Sequence, residues 1–138
     1  MRIERMALVA LVGLSPLLIS AKSSPAVGIC EAKIARVWHG RVKTERADEY
    51  AKYIADAITK FRTIPGNRGY QLMREPAGAE THFSVISYWD SRDAIHAYAG
   101  ADIGKVRALP RDAELLIDAE PTVRNYDLLV VNSDCPAN

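Results

Sequence analysis

The sequence is poor in cysteine, with only Cys30 and Cys135 in 138 residues. The two lack the Cys-x-x-Cys spacing of a thiol redox motif. The three histidines, His39, His82 and His96, are scattered without the spacing of metal ligands. The sequence therefore predicts neither a thiol redox centre nor a metal site.

Signatures of nucleotide binding and of serine hydrolysis are also missing. No G-x-G-x-x-G motif, lysine-bearing phosphate loop or G-x-S-x-G elbow occurs. The 18 basic and 17 acidic residues give a net charge of +1, without the basic excess typical of a nucleic-acid-binding surface. We therefore expect no nucleotide cofactor and no nucleic-acid partner.

The N-terminus resembles an export signal. Arg2 and Arg5 precede an apolar run that is too short to span a bilayer reliably, and small residues such as Ala26 and Gly28 follow it. We predict a signal peptide over residues 1–28 and one domain over residues 29–138. An uncleaved membrane anchor is the alternative.

An exported chain is periplasmic or secreted, with no membrane attachment after cleavage. A disulfide can persist in such a compartment. Cys30 and Cys135 lie near the two ends of the mature chain, so we predict that they pair as a terminal clasp.

Hydrophobic periodicity predicts the order strand, helix, strand, strand, helix, strand. The first helix should be capped by Thr44 and the second by Ser91. The β-prone stretches are 34–42, 68–75, 81–89 and 122–131. This order is that of a ferredoxin-like α+β sandwich, with a four-stranded antiparallel sheet whose first and fourth strands are neighbours.

Helices cover one face of such a sheet, and the other face is partly apolar. Val37, Met73, Ile86 and Tyr88 should lie on this second face. Apolar patches of this kind rarely stay exposed. We therefore expect a homodimer formed through the open sheet face.

Five segments resemble the antibiotic biosynthesis monooxygenase (ABM) family: RVWHGRV, TERADEY, PGNRGY, THFSVISYWDSRDAIHAYAG and EPTVRNYDLL. The likeness covers most of the chain after the predicted signal. It implies a dimeric α/β barrel of ferredoxin-like protomers, each with a ligand pocket between its helices and its sheet. Relatives include cofactor-independent oxygenases of phenols and quinols, quinol monooxygenases and haem-degrading monooxygenases.

The haem-degrading branch uses an asparagine on the first strand and a histidine in the second helix. Trp38 stands at or beside the first position, and His96 falls earlier than the second. The resemblance therefore implies that haem is not expected, that no other cofactor is needed and that O₂ is the co-substrate.

The predicted pocket for a small aromatic molecule comprises Trp38, Tyr53, Phe83, Ser87, Trp89 and Tyr98. Its indoles can form flat walls with N–H donors, and its tyrosines can bind a substrate oxygen. Catalytic candidates are Trp38, Trp89 and His39, the last as the base. His39 points away from Trp38 in a regular strand, so this role requires a bulge at Gly40.

These residues favour a cofactor-independent monooxygenase that acts on a small phenol or quinol. One alternative is a non-enzymatic dimer that binds a small hydrophobic molecule or serves in stress. The other is a haem-binding or haem-degrading monooxygenase.

Overall fold

The structure is a computed structural model, which describes residues 28–131. The predicted signal peptide, apart from Gly28, lies outside the described residues, as does Cys135. Export and the Cys30–Cys135 disulfide therefore stay predictions. None of the described helices is long and apolar enough to cross a membrane.

The fold is the predicted ferredoxin-like α+β sandwich. Its sheet has the strand order β2-β3-β1-β4, and all neighbouring strands are antiparallel. The strands are β1 (Ile34–Lys43), β2 (Asn67–Ala77), β3 (Glu80–Trp89) and β4 (Arg124–Asp127), and the helices are α1 (Ala47–Ile58), α2 (Arg92–Ala99) and α3 (Asp112–Leu115).

One of the two predicted helix caps is correct. The Ala94 N–H donates to the Ser91 hydroxyl at 3.1 Å and so begins α2. Thr44 does not cap α1, because a 3₁₀ turn over Thr44–Arg46 precedes that helix. The Thr44 hydroxyl instead donates to the carbonyl of Gly78, 2.8 Å away, and ties the start of the helix to the β2–β3 turn.

The core lies between the helices and one face of the sheet. One face of α1 supplies the buried Tyr50, Ile54 and Ile58, and Phe61 continues it in a 3₁₀ turn over Thr59–Thr63. These side chains pack with buried residues of β3 and α2. Burial of this apolar surface is the main stabilisation that the fold has available.

The last strand is shorter than the sequence predicted. β4 ends at Asp127, which pairs with Ile34, the first residue of β1, and a single further backbone hydrogen bond, from the Leu128 N–H to the Lys33 carbonyl at 2.8 Å, follows it. Beyond it Leu129 and Val130 are 91% and 88% exposed. At the other end, Thr122 forms a bridge with Lys105 instead of extending β4.

The face of the sheet opposite the helices is partly covered by the ends of the described chain. Ile29 and Leu128 pack against Tyr88, whereas Met73 and Tyr126 remain about half exposed. The predicted dimer through this face is a proposal, which we take up below.

Residues 101–117 form an irregular crossing segment between α2 and β4. The predicted short helical pieces reduce to α3. The Ile117 N–H donates to the carbonyl of Arg41 at 2.8 Å, and the Lys105–Thr122 bridge holds the other end. Leu115 is buried in the main core and Ile103 and Leu116 pack against it, so the crossing segment lies over the helix-covered side of the sheet.

Candidate active site

A cavity of about 460 Å³ lies between the sheet, the helices and the crossing segment. Its apolar lining includes Trp38, Ile54, Phe61 and Val85, and its polar lining includes Arg36, Tyr50, Ser87, Tyr98, Arg107 and Asp112. A mostly apolar cavity with a few convergent polar groups is typical of a small-molecule site.

The sheet wall of the cavity comes from two paired strands. Arg36 lies opposite Ser87 in the β1–β3 register, and Trp38 lies opposite Val85. Alternate residues of a strand share a face, so these two pairs point to the same side. Regular strand pairing therefore fixes the distances between the side chains that form this wall.

Trp38 lines the cavity because Gly40 leaves room for its ring. A Cβ atom at Gly40 would lie 2.3 Å from the Cη2 atom of Trp38. The β1–β3 register runs through Gly40 without the bulge that a base role for His39 would require. The Trp38 indole N–H has no hydrogen-bond acceptor among the described residues and is not sealed from solvent.

Trp89 lies behind the cavity instead of lining it. The indole is fully buried, and its N–H donates to the Ser87 hydroxyl at 2.9 Å. Tyr98 stacks on it at 5.6 Å between ring centroids, and Phe61 meets it edge-on at 6.0 Å. These two rings, which do line the cavity, separate Trp89 from it.

Tyr98 presents its ring and hydroxyl to the cavity. Its hydroxyl makes no hydrogen bond to any described residue. Burial raises the pKa of this hydroxyl, while the charges of Arg36 and Arg107 act in the opposite direction. The Arg107 guanidinium lies 5.3 Å from the ring centroid and donates to the Tyr98 carbonyl.

Arg36 places a positive charge in the cavity wall. It is 5% exposed and donates to the carbonyls of Ile103 and, at 2.8 Å, Lys105, both on the crossing segment. Within residues 28–131 no carboxylate forms an ion pair with it, and burial lowers its pKa. A buried charge without a counter-ion is costly, so an anionic ligand would be favoured here.

Asp112 is a cavity residue that the sequence analysis did not identify. The side chain is buried; its Oδ1 accepts a hydrogen bond from the Tyr50 hydroxyl at 3.3 Å and its Oδ2 one from the Leu109 N–H at 2.7 Å. Burial raises the pKa of this carboxyl, which the two hydrogen bonds only partly oppose. The one available signal was an acidic residue in a short, Pro110-interrupted segment, and it did not indicate burial.

The other predicted pocket residues lie beside the cavity. Phe83 is buried against Tyr50, with 5.3 Å between ring centroids. The Tyr53 hydroxyl accepts a hydrogen bond from the Arg111 N–H at 3.0 Å, so it holds α3 instead of facing a ligand. The structure thus brings Trp38, Ser87 and Tyr98 together in the lining and keeps Tyr53, Phe83 and Trp89 outside it.

The three histidines also lie off the cavity. His39 is exposed on the open sheet face, so the structure does not support it as a base for a ligand held by Trp38. His82 lies 3.7 Å from Glu80, and the exposed His96 contacts the Gly100 carbonyl at 3.1 Å. No cluster of metal-ligating side chains occurs between residues 28 and 131.

The cavity lining lacks the side chains that most often serve as axial ligands of haem iron. Its lining contains no histidine, cysteine or methionine. Its tyrosines, Tyr50 and Tyr98, are poor tyrosinate ligands because burial raises the pKa of both hydroxyls.

An exposed ionic network, which we call the latch, fastens α3 to α1. The Arg111 guanidinium lies 2.5 Å from Glu49 and 2.8 Å from Glu114, and Arg46 contacts the same two carboxylates. Arg111 and then Arg46 hold the pKa of Glu114 down at about 2 and also lower that of Glu49. The latch thus holds the part of the crossing segment that carries Asp112.

Comparisons with known proteins agree with this architecture. The profile of the family described as "Antibiotic biosynthesis monooxygenase" matches residues 34–103. No curated protein matches the chain in a sequence comparison.

Three solved structures are similar over their whole length. A protein of unknown function from Nitrosomonas europaea superposes with a TM-score of 0.57 at 19% identity, over 78% of this chain and 98% of that one. A proposed antibiotic biosynthesis monooxygenase from the same bacterium gives 0.55 at 15% identity, over 71% and 91%. The haem-degrader MhuD from Mycobacterium tuberculosis, with two haems bound in its active site, gives 0.51 at 23% identity, over 72% and 99%. Likeness at these identities supports the fold.

Proposed function

Since the chain belongs to the antibiotic biosynthesis monooxygenase family, we propose that it is a cofactor-independent monooxygenase of a small phenol or quinol. The family is of the monooxygenase type, and the substrate class and the absence of a cofactor are our proposal. The substrate would lie in the cavity with its ring against Trp38.

The observation that carries the proposal is a pair of hydrogen-bond donors without partners, together with a positive charge without an ion pair, in the cavity wall. The Trp38 N–H and the Tyr98 hydroxyl have no acceptor among the described residues, and the buried Arg36 has no counter-ion there. A flat ring bearing an ionised oxygen complements all three groups. Donors that are held in position before the reaction stabilise such an oxyanion better than bulk water does.

The proposed reaction needs no electron source beyond the substrate. Ionisation of the phenol or enol gives an anion that can pass an electron to O₂. For a substrate with an enolisable CH₂ group, one oxygen atom of O₂ enters to form C=O, and the other leaves with the two hydrogens as water. The cavity walls would contribute orientation and exclusion of water.

We propose in addition that the protein is exported and works as a two-fold dimer through its open sheet face. The support for pairing is the partly apolar surface around Met73 and Tyr126, which are about half exposed. Analytical ultracentrifugation should show a dimer that Met73→Glu weakens. A monomer at all concentrations would contradict the pairing without affecting the cavity.

The test of function is oxygen uptake by the haem-free and metal-free protein over a panel of anthrone-type phenols and naphthoquinols. We expect uptake above the buffer rate with at least one substrate, and a reduced rate in Trp38→Ala and Tyr98→Phe. His39→Gln is the matched control, because His39 lies on the other face of the sheet, and it should keep the wild-type rate. If no substrate of the panel gives oxygen uptake above the buffer rate, the proposal is wrong.

Binding without uptake would instead favour the non-enzymatic ligand-binding alternative. A haemin titration distinguishes the haem alternative. A shifted Soret band that disappears with Tyr98→Phe would mean that a tyrosine ligates haem despite its raised pKa.

A further inference from the structure

We propose that Asp112 is the general base of the site, with Tyr50 as the residue that positions it. This inference rests on the proposed phenol or quinol substrate. It replaces His39, which the fold places on the opposite side of the sheet.

The geometry supports a role beyond structure. The Asp112 carboxylate lines the cavity but is only 6% exposed, so little water competes for it. A carboxylate offers about four acceptor positions. Among the described residues, two hydrogen bonds occupy these positions. The Tyr50 hydroxyl donates to Oδ1 at 3.3 Å, and the Leu109 N–H donates to Oδ2 at 2.7 Å. Each oxygen therefore keeps an acceptor position, and the existing contact at Oδ1 is the longer of the two.

The proposed step is a single proton transfer. The substrate O–H bond breaks, its proton passes to Oδ1 of Asp112, and the electron pair stays on the substrate oxygen. The products are a neutral carboxylic acid and a substrate anion. The buried Arg36, which has no counter-ion among the described residues, then becomes the partner of that anion.

The burial of Asp112 favours such a base. Burial without an ion pair raises its pKa and so makes the carboxylate a stronger proton acceptor. Arg111, its chain neighbour, is engaged with Glu49 and Glu114 in the latch. The other titratable or charged groups that line the same cavity are Arg36, Tyr50, Lys60, Tyr98 and Arg107.

The first test follows ionisation of a bound phenol and needs no turnover. 4-Nitrophenol is titrated with wild type and Asp112→Asn at a pH where free 4-nitrophenol is mostly neutral. We expect the absorbance of the phenolate to grow on binding to wild type but not to Asp112→Asn. Equal spectra in two proteins that both bind the probe would overturn the assignment. Failure of wild type to bind any phenol would overturn the proposed function as well.

The second test is the pH profile of kcat/KM for oxygen uptake. Asp112→Asn should lower kcat/KM at neutral pH by roughly 10²–10⁴-fold, the usual contribution of a general base. The loss should shrink as the pH approaches the pKa of the substrate, where the solvent has already ionised it. A loss of the same size at every pH would indicate a structural role and contradict the proposal. Asp118→Asn, an exposed acid just beyond α3, is the matched control.

Tyr50→Phe provides an independent check if Asp112→Asn folds poorly. The hydrogen bond from Tyr50 lowers the pKa of Asp112. Its removal should therefore move the acidic limb of the kcat/KM profile to higher pH. An unchanged limb, with activity otherwise retained, would show that Asp112 does not set that limb.

Discussion

The two walls of the cavity are built in different ways. The sheet wall comes from the paired strands β1 and β3, in which Arg36 and Trp38 follow strict alternation. The opposite wall is the crossing segment, which has a single helix of four residues and supplies Arg107 and Asp112. The regular wall fixes shape and spacing, whereas the irregular wall carries the proposed base.

The two walls are also stabilised by different interactions. Trp89 and Phe83 project from the same face of β3 as the sheet wall and are buried beside it in the main core. The crossing segment depends more on polar contacts, namely the hydrogen bonds from Arg36 and the latch. The comparison predicts that substitutions in the core beside the sheet wall lower the stability of the whole protein. Substitutions that remove the polar contacts of the crossing segment should chiefly loosen that segment.

Removal of Trp89 should have the largest effect on stability. Trp89→Ala should lower the free energy of unfolding by about 3–5 kcal/mol, because it empties a fully buried site of the core. Trp38→Ala should cost clearly less, because Trp38 is only partly buried and faces the cavity. Urea denaturation of both variants measures the difference, and equal losses would contradict the distinction between core and cavity tryptophans.

Loss of Arg36 should have the next largest effect, because Arg36 links the two walls. Arg36→Met leaves the Lys105 carbonyl without its donor, whereas the Ile103 carbonyl keeps the amide of Asn125 at 2.9 Å. We expect a loss of about 1–3 kcal/mol in the free energy of unfolding. Amide exchange should accelerate at Val106 and Val123, which border the segment, more than in β3. Uniform acceleration would place the effect in the whole fold.

Acid should produce the smallest effect, confined to the latch. The pKa values of Glu49 and Glu114 are lowered in the folded protein, for Glu114 from 4.5 to about 2. Their contribution is therefore complete above pH 4.5 and is lost as the pH falls towards 2. Salt should weaken it further, because the pairs are exposed.

Amide exchange in the crossing segment measures this acid effect. Protection at Leu116 and Ile117 should fall, relative to that in β3, as the pH drops from 4.5 to 2. Glu114→Gln should reduce the pH dependence. Asp112, whose pKa is raised above 3.8, acts in the opposite sense but only above about pH 3.8, so Asp112→Asn should make the dependence steeper only at the upper end of this range. A constant ratio of protection across this range would show that the latch does not hold the segment.

The strands and helices could be predicted from the sequence because their apolar residues recur at a regular spacing. Period-two and helical patterns placed the strands, the order of the elements and the Ser91 cap. They erred at the ends of elements: β4 spans only Arg124–Asp127 of the predicted stretch 122–131. The 3₁₀ turn that displaced Thr44 as a cap was likewise not encoded in the spacing.

The candidate site could be predicted from the sequence only in part. Of the predicted pocket residues, Trp38, Ser87 and Tyr98 line the cavity, but strand alternation could not show that Tyr98 and Phe61 would screen Trp89. Asp112 was missed because nothing periodic surrounds it. Its burial depends on contacts with Tyr50, which is 62 residues away in the sequence.

A crystal structure of the protein with an unreactive phenol bound would test most directly whether the two walls form one site. We predict that the ring packs on Trp38 and that the phenol oxygen lies within hydrogen-bond distance of Asp112. A phenol bound on the open sheet face, or one in the cavity whose oxygen points away from the crossing segment, would contradict this account.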